Sequence, residues 1–420
     1  MKSLLAATLL LAGTAQAQAW QKYLFSGPHF PTELAPNIGL QTDEAGHVYV
    51  MGMNHTDWDT MSHIYSLGST GEHAWMWSLV SNWRYSDGEF HPRGFSAKNG
   101  YRVAWFEGGS EFQREDILFL YEPGDAYGRE VRIPRGDSEG VIETIADGFG
   151  GFVVVQKDPQ DLNHPRYTYY HHYDFEPAVS EPFRGCDAPS LWQGVLDIAF
   201  NSWQETLALV QCQGDWAPVL EIQRYWNGQF QDSHRPWINL PPDTQFSHAT
   251  SQGQGSWVLI GHHPAFPDAM LVSVTPWSSY WQPLPPDIEI RASTALPDGA
   301  LLYTVNAADQ ITLVSVPAIS GAQFITLVDP VPAAADNPVW TRTRSNRYVA
   351  AYRQPGTTGD DLVLKAFDDQ GNTLWTRTAA SGLTETAQPQ LRVTANDEVV
   401  LAIDRKEGEG VGIHVEQFVP

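Results

Sequence analysis

The chain repeats one pattern about every fifty residues, in which short apolar runs alternate with turns rich in Gly, Asp and Asn. The second apolar run of each repeat is the easiest to locate, and successive second runs start 54, 50, 54, 51, 44, 47 and 51 residues apart. Such spacings are typical of β-propeller blades, whose period is about 40 to 50 residues. The spacing therefore predicts an all-β, eight-bladed propeller of four-stranded antiparallel blades, with seven blades as the alternative. The second runs begin at Val48, Arg102, Phe152, Thr206, Trp257, Leu301, Tyr348 and Val399.

The two ends of the chain indicate how such a ring would close. A four-stranded sheet cannot bury both of its faces alone, so each repeat needs a neighbour on either side. The eighth repeat has only three predicted strands before the chain ends at Pro420. Residues 20–24 resemble the outer strand that is predicted at residues 374–378 of the seventh repeat. We therefore expect the N-terminal strand to complete the last blade.

Residues 1–19 have the features of a secretory signal peptide. Lys2 precedes an apolar stretch over residues 4–12, and small residues follow at positions 15 and 17. That stretch is far shorter than the ~20 residues that span a bilayer. We predict that the signal peptide is cleaved near Gln18 or Trp20. The rest of the chain, 20–420, then forms one propeller domain in the periplasm or outside the cell.

Charge and cysteine content narrow the possible partners and the compartment. The 49 acidic residues exceed the 25 basic ones, and the net charge is −24. Such a surface repels nucleic acids and anionic membranes, so we predict neither as a partner. The only two cysteines in the sequence are Cys186 and Cys212. In an oxidising compartment such a pair is expected to form a disulfide, which would stabilise the fold by roughly 3 to 4 kcal/mol.

Two repeats carry a recognisable motif. Residues 43–52 read DEAGHVYVMG, and residues 367–375 of the seventh repeat read FDDQGNTLW. These segments resemble the two halves of the repeat of secreted bacterial β-propeller proteins, in which an Asp-x-x-Gly-Asn-Val-Tyr-Val-x-Gly strand is followed by an Asp-x-x-Gly-x-x-x-Trp turn and strand. The resemblance covers about a quarter of the chain. It implies the propeller architecture and no enzymatic role.

A ligand site is expected at one rim of the ring. Loops between second and third strands and connections between blades crowd one end of a propeller channel, and loops on a rigid scaffold commonly carry function. Repeats one to five place polar and aromatic residues there, so we predict a ligand site on this rim. By contrast, Trp75, Trp77, Trp281 and Trp375 recur near outer strands and are expected to pack between blades. The candidate ligand-binding residues are Trp83, Arg84, His164, Arg166, Trp192, Trp216, His262 and His263.

Four residues have the chemistry of a polysaccharide lyase. Such an enzyme needs a Tyr or His to remove the proton beside a uronate, and a cation to stabilise the charge that develops. Tyr85, His91 and Arg93 lie close together in the sequence, and His248 would face them across the ring. The alternative is that His91 and Arg93 only hydrogen-bond neighbouring loops.

We expect no cofactor, and a divalent metal ion is the alternative. His55, Asp57, Asp59 and His63 combine imidazole and carboxylate groups, which are ordinary ligands of zinc and manganese. Asp is equally common in turns, which would explain the same residues without a metal.

Two functions follow from these features. The first is a recognition scaffold that binds a protein or a glycan through the rim of blades one to five. The second is a carbohydrate-active enzyme, a lyase that acts on an acidic polysaccharide.

Overall fold

The computed structural model describes most strands of the chain and the better-placed turns. The described residues are 18–24, 33–34, 39–43, 45–55, 60–81, 91–109, 114–123, 129–134, 141–146, 150–156, 165–170, 177–186, 191–200, 205–214, 218–236, 238, 240–241, 243–251, 255–263, 266–275, 279–285, 288–296, 299–306, 311–317, 322–332, 335–383, 388–407 and 410–420. Residues 1–17, most of the predicted signal peptide, lie outside these ranges. In the described part of the chain, no helix is long and apolar enough to span a bilayer.

The described strands form eight antiparallel sheets, which confirms the eight-bladed prediction. Strand β1 (Gln18–Leu24) comes first in the chain and belongs to blade 8. Blade 1 contains β2 (Glu33–Leu34), β3 (Gly39–Thr42), β4 (Val48–His55), β5 (Thr60–Leu67) and β6 (His73–Ser81). Blade 2 contains β7 (His91–Lys98), β8 (Tyr101–Gly109), β9 (Arg114–Tyr121) and β10 (Arg129–Pro134). Blade 3 contains β11 (Val141–Ala146), β12 (Phe152–Gln156), β13 (Arg166–Tyr170) and β14 (Pro177–Pro182). Blade 4 contains β15 (Leu191–Phe200), β16 (Thr206–Gln213), β17 (Pro218–Trp226) and β18 (Gln229–His234).

The second half of the ring repeats this order. Blade 5 contains β19 (Gln245–Ser251), β20 (Trp257–His263), β21 (Phe266–Val274) and β22 (Ser279–Pro283). Blade 6 contains β23 (Ile288–Leu296), β24 (Gly299–Asn306), β25 (Ile311–Pro317) and β26 (Gln323–Thr326). Blade 7 contains β27 (Asp336–Arg342), β28 (Tyr348–Pro355), β29 (Asp360–Phe367) and β30 (Thr373–Leu383). Blade 8 contains β31 (Gln390–Val393), β32 (Val399–Glu407) and β33 (Gly410–Phe418), with β1 as its outer strand.

The second strands start where the sequence period predicts. Six of the eight begin at the predicted residue, and the other two, β8 at Tyr101 and β24 at Gly299, begin one and two residues earlier. The first strand of each blade is the innermost one, and first strands of neighbouring blades contact one another around most of the ring. Because each blade is antiparallel, loops between second and third strands and blade-to-blade connections share one end of the channel, which we call the mouth. Hairpin turns lie at the other end, the base.

Burial between blades holds the ring together. Among the described residues there are eight apolar clusters, and each one spans a single interface between two neighbouring blades. Trp375 packs between blades as predicted, since its ring lies 5.9 Å from that of Phe418 in the interface of blades 7 and 8. For Trp281 the prediction is wrong, because 38 % of this residue is exposed on an outer strand. The alternation of side chains along each strand therefore serves two interfaces at once.

Five hairpin turns at the base, in blades 1, 7 and 8, are closely similar. At Asp43, Gly68, Thr343, Asp368 and Thr394, the residue's N–H bonds to the carbonyl four residues later, and its own carbonyl accepts from the N–H three residues later. That third residue has a positive φ, for example 81° at Gly46 and 83° at Gly371. One turn also reaches across to the next blade, where the Asp397 carboxylate accepts from the Ser345 N–H at 3.0 Å. These turns fix the blades relative to one another at the base.

The ring closes through the N-terminal strand, as predicted. Strand β1 pairs antiparallel with β33, from Gln18 opposite Phe418 to Leu24 opposite Ile413. Trp20 packs in the interface of blades 8 and 1, and its indole N–H donates to the Ser69 carbonyl at 3.1 Å. Gly71 makes room for this ring, since a Cβ added there would lie 2.5 Å from the indole. The chain start is therefore held by strand pairing and by side-chain packing.

A buried polar network joins the same strands to blade 7. His414 and Glu416 are nearly inaccessible, and the His414 Nδ1 lies 3.3 Å from the Gln21 side-chain nitrogen. Arg377 of blade 7 donates to both carboxylate oxygens of Glu416, at 3.3 Å to one of them. Burial alone would raise the pKa of Glu416, but the hydrogen bonds and charges of His414 and Arg377 outweigh it and lower the pKa. The charged carboxylate thus stabilises the closed ring.

Replacing Trp20 with alanine tests the closure. We expect Trp20→Ala to lower the free energy of unfolding by about 3 to 5 kcal/mol, because it removes an interface side chain and its hydrogen bond. Trp226→Ala is the matched control, since 41 % of Trp226 is exposed, and a surface truncation costs within about 0.5 kcal/mol. Urea unfolding followed by circular dichroism measures both variants. Equal losses in the two variants would contradict the closure described here.

Acid should weaken the network around Glu416. Its folded-state pKa is lowered, so its contribution is present above the unfolded value of 4.5 and is lost as pH falls through the folded one. We expect the wild type to lose more stability than Glu416→Gln when the pH falls from 7 to below 4.5. Glu130→Gln, which alters an exposed carboxyl, should keep the wild-type pH dependence. A Glu416→Gln variant with an unchanged pH dependence would refute this role.

Candidate functional site

The innermost strands are irregular near the mouth. In blades 2 to 7, the register between the first and second strands shifts by one residue, which is the mark of a β-bulge. The shifts lie opposite the fourth to seventh residues of the second strand, so they occur at a similar height around the channel. The residues without a partner in the register are Arg93, Ile142, Gln193, Leu196, Ser247 and Arg291, and in blade 7 one of Asn337 and Pro338.

Blade 1 is interrupted at the same level, whereas blade 8 is not. In blade 1 the first strand is split, with β2 pairing to residues 54–55 and β3 to residues 48–51 of β4. Residues 35–38 between them lie outside the described ranges. Strand β31 of blade 8 pairs with β32 without any shift. Bulges bend a strand and re-aim its side chains, and they are frequent beside active sites and at barrel rims. Seven blades thus change the direction of the channel wall near the mouth.

Two bulged residues are arginines, and each forms an ion pair. The Arg93 Nε lies 2.6 Å from a Glu107 carboxylate oxygen, and the Arg291 Nη2 lies 2.8 Å from one of Glu289. All four side chains are accessible to solvent, with Glu107 the least so at 26 %. Beside Arg291, burial raises the pKa of Tyr303, although the arginine's charge opposes this. The mouth therefore presents hydrogen-bond donors directly beside acceptors.

Three of the four predicted catalytic residues lie at this level. His91 is opposite Glu107 at the start of β7, Arg93 is the bulged residue of blade 2, and His248 directly follows bulged Ser247 of blade 5. For His91 and His248 the structure describes the backbone. Tyr85 lies outside the described residues. The bulged ring thus brings His91, Arg93 and His248 within three residues of one another along the channel wall.

The predicted ligand-binding residues are placed only in part. Arg166 starts β13, Trp192 lies in β15 next to bulged Gln193, and His262 and His263 end β20, where His262 is exposed. These strand ends all point toward the mouth. The other four candidates lie outside the described residues, namely Trp83, Arg84, His164 and Trp216.

The predicted metal ligands are likewise divided. His55 ends β4 and His63 lies in β5 opposite Gly52, whereas Asp57 and Asp59 lie outside the described residues. Within the described ranges, no group of three or more His, Cys, Asp or Glu residues is placed to hold a metal ion.

The disulfide between Cys186 and Cys212 is present. It ties the connection between blades 3 and 4 to β16, directly opposite Trp192 and beside bulged Gln193. A disulfide indicates an oxidising compartment rather than the cytoplasm. It also anchors one blade connection at the mouth.

The bulges themselves were not predicted from the sequence, and neither were Gln193, Glu289 and Arg291 as mouth residues. A glycine inside a strand pattern is a known sign of a bulge. Gly94 and Gly194 each follow a bulged residue, so they were the available sign in blades 2 and 4. Gly194 adopts a φ of 149°, which other residues rarely adopt.

No protein-family model matches the chain, and no curated protein sequence matches it. Solved β-propeller structures are similar in fold. The propeller domain of the Trilobed protease from Pyrococcus furiosus is 6 % identical, with 79 % of this chain and 94 % of that chain aligned and a TM-score of 0.46. A puromycin hydrolase mutant is 14 % identical over 91 % of this chain and 60 % of its own, with a TM-score of 0.49. An oligogalacturonate lyase in complex with manganese is 10 % identical over 80 % and 99 %, with a TM-score of 0.45. At these identities the likeness concerns the fold alone.

Replacing Gly194 tests whether the bulge of blade 4 needs its backbone conformation. We expect Gly194→Ala to cost about 1 to 3 kcal/mol of stability, because a side chain strains a φ of 149°. Gly185→Ala is the matched control. A Cβ at either position meets nothing within 4 Å, so the two differ only in backbone conformation. Thermal unfolding compares the variants. Equal stability of the two variants would show that the bulge does not need the backbone conformation of glycine.

Proposed function

We propose that the protein is a recognition scaffold outside the cytoplasm that binds a glycan at the mouth of its central channel. The proposal rests chiefly on the bulges at one height in six consecutive blades and the break in a seventh. A single bulge is ordinary, but the same distortion around a ring shapes one continuous opening.

The side chains of this opening suit hydroxyl groups. The pairs Arg93–Glu107 and Arg291–Glu289 each offer donors and acceptors within a few ångströms, and both remain accessible. Sugar hydroxyls both donate and accept, so such a pair can hold them without leaving a buried group unsatisfied. The exposed side chains of Gln193 and His262 add further polar groups near the same end.

The location follows from the disulfide and from the sequence. The Cys186–Cys212 bond supports an oxidising compartment, and residues 1–19 support export through a signal peptide. The resemblance to secreted bacterial β-propeller proteins agrees with this location. We therefore place the scaffold in the periplasm or outside the cell.

A lyase is the second candidate, because His91, Arg93 and His248 lie within three residues of one another along the channel wall. In that reaction a histidine would take the proton beside the uronate carboxylate. A carbon–carbon double bond would form as the glycosidic carbon–oxygen bond breaks, and the departing oxygen would take a proton. Against this role, the Arg93 guanidinium already faces Glu107 at 2.6 Å, which offsets the charge it could lend to the reaction. This pairing favours the scaffold.

Binding to a glycan array tests the scaffold. We expect Arg93→Ala and Arg291→Ala to weaken binding of the best glycan about tenfold or more each, since about 1.4 kcal/mol corresponds to a factor of ten. Arg132→Ala is the control, because Arg132 is also an exposed, ion-paired arginine but lies on an outer strand. Equal losses in all three variants, or the absence of any bound glycan, would contradict the proposal.

Incubation with uronate polymers, followed by the absorbance of the new double bond, tests the lyase. No increase in absorbance with any polymer would exclude it.

A further inference from the structure

One arginine of the channel wall stands apart from the others. Arg392 lies in β31, the innermost strand of blade 8, opposite Val400. Val400 belongs to the apolar cluster between blades 8 and 1, so Arg392 lies on the side of its strand that faces blade 1. Its side chain is partly buried and partly open to solvent. Because β31 is innermost, the solvent that reaches Arg392 is that of the channel.

The channel is open to water along its wall. In blade 1, Gly39, Gln41 and Thr42 of the first strand are partly exposed, and in blade 2 so are residues 94–98. These positions extend from the bulges toward the base. A ligand group that passes the mouth can therefore continue inward along the same wall.

Within the described residues, Arg392 has no carboxylate partner. Its Nη1 donates to the carbonyl of the preceding residue, Leu391, at 2.8 Å. Burial lowers the pKa of its guanidinium. Two other cations that are buried or partly buried have acids as partners, since Lys365 contacts Asp329 at 2.6 Å and Arg377 binds Glu416. A guanidinium withdrawn from water without a counter-charge is costly, and buried charges are normally paired.

Arg392 lies deeper in the channel than the bulges. Blade 8 reaches the height of the bulges at Ala402, the fourth residue of β32, which pairs with Gln390. Arg392 is two residues further toward the base, and at 3.3 Å per residue this places it about 7 Å below the lower edge of the bulged ring. It therefore meets only a group that enters the channel, not one that stays at the mouth.

We infer that Arg392 binds a carboxylate carried by the terminal unit of the ligand, so the glycan recognised at the mouth ends in a uronic acid. This inference rests on the proposed function. A guanidinium is planar and matches a carboxylate, and within the described residues Arg392 donates no hydrogen bond other than that of its Nη1 to the Leu391 carbonyl. The net charge of −24 repels long polyanions, so one carboxylate at a chain end suits this channel better than a run of them.

Titration calorimetry with glucuronate and glucose tests the inference. We expect the wild type to bind glucuronate more tightly than glucose. Arg392→Gln should weaken glucuronate binding tenfold or more and leave glucose unchanged, whereas Arg392→Lys should keep part of the preference. Arg132→Gln, an outer-strand control, should behave as wild type. Without ligand, Arg392→Gln should unfold at no lower temperature than wild type, because it removes a charge without a counter-charge.

Two results would overturn the inference. In the first, Arg392→Gln binds glucuronate as tightly as the wild type does. In the second, the wild type binds glucuronate no more tightly than glucose. A lower unfolding temperature of Arg392→Gln would assign the residue a structural role instead. The proposed function fails separately. Binding of an oligosaccharide that ends in glucuronate, if it depends on Arg392 but not on Arg93 or Arg291, would refute the mouth as the site. Sugar binding that depends on the mouth arginines alone would keep the mouth and remove Arg392.

Discussion

Each blade has two apolar faces, and only another blade can cover them. This constraint explains why every apolar cluster of the described residues spans an interface and none lies within a single blade. Seven interfaces form between blades that follow one another in sequence. The eighth needs the two chain ends, and Trp20 packed over Gly71 completes it. Because the blades are fixed in a ring, their first strands form a wall of defined height around the channel.

The sequence predicted the repeated strand pattern and the strand that the eighth repeat lacks. The period located the second strands, and the incomplete eighth repeat indicated that residues 20–24 would pair with it. Bulges were not predictable in this way, because a period counts residues along one strand and says nothing about register with the next. Gln193 looked like an ordinary strand residue, and Arg93 was predicted as a catalytic cation but not as a bulged residue. Arg392 also looked unremarkable, since its isolation from acids arises only when closure brings blades 8 and 1 together.

The two ends of the channel differ in construction. At the base, five hairpin turns of blades 1, 7 and 8 share one hydrogen-bond pattern, and one of them also bonds to the neighbouring blade. At the mouth, bulges and long connections replace this regularity, and the Cys186–Cys212 bond holds one connection in place. At the mouth, Arg93 and Arg291 are paired with carboxylates, whereas Arg392, which lies deeper in the channel, has no carboxylate partner among the described residues. The regular turns of the base and the polar, bulged mouth thus give the two ends of the channel different surfaces.

Hydrogen exchange of the N-terminal strand tests the central claim most directly. If β1 closes the ring through β33, the β1 amides that donate to β33 become exposed only when the propeller unfolds, so they should exchange slowly and together with the amides of β33. Mass spectrometry of peptides that cover residues 18–24 and 410–418 would measure this. Fast exchange of residues 18–24 beside slow exchange of 410–418 would contradict a ring held closed by its first strand.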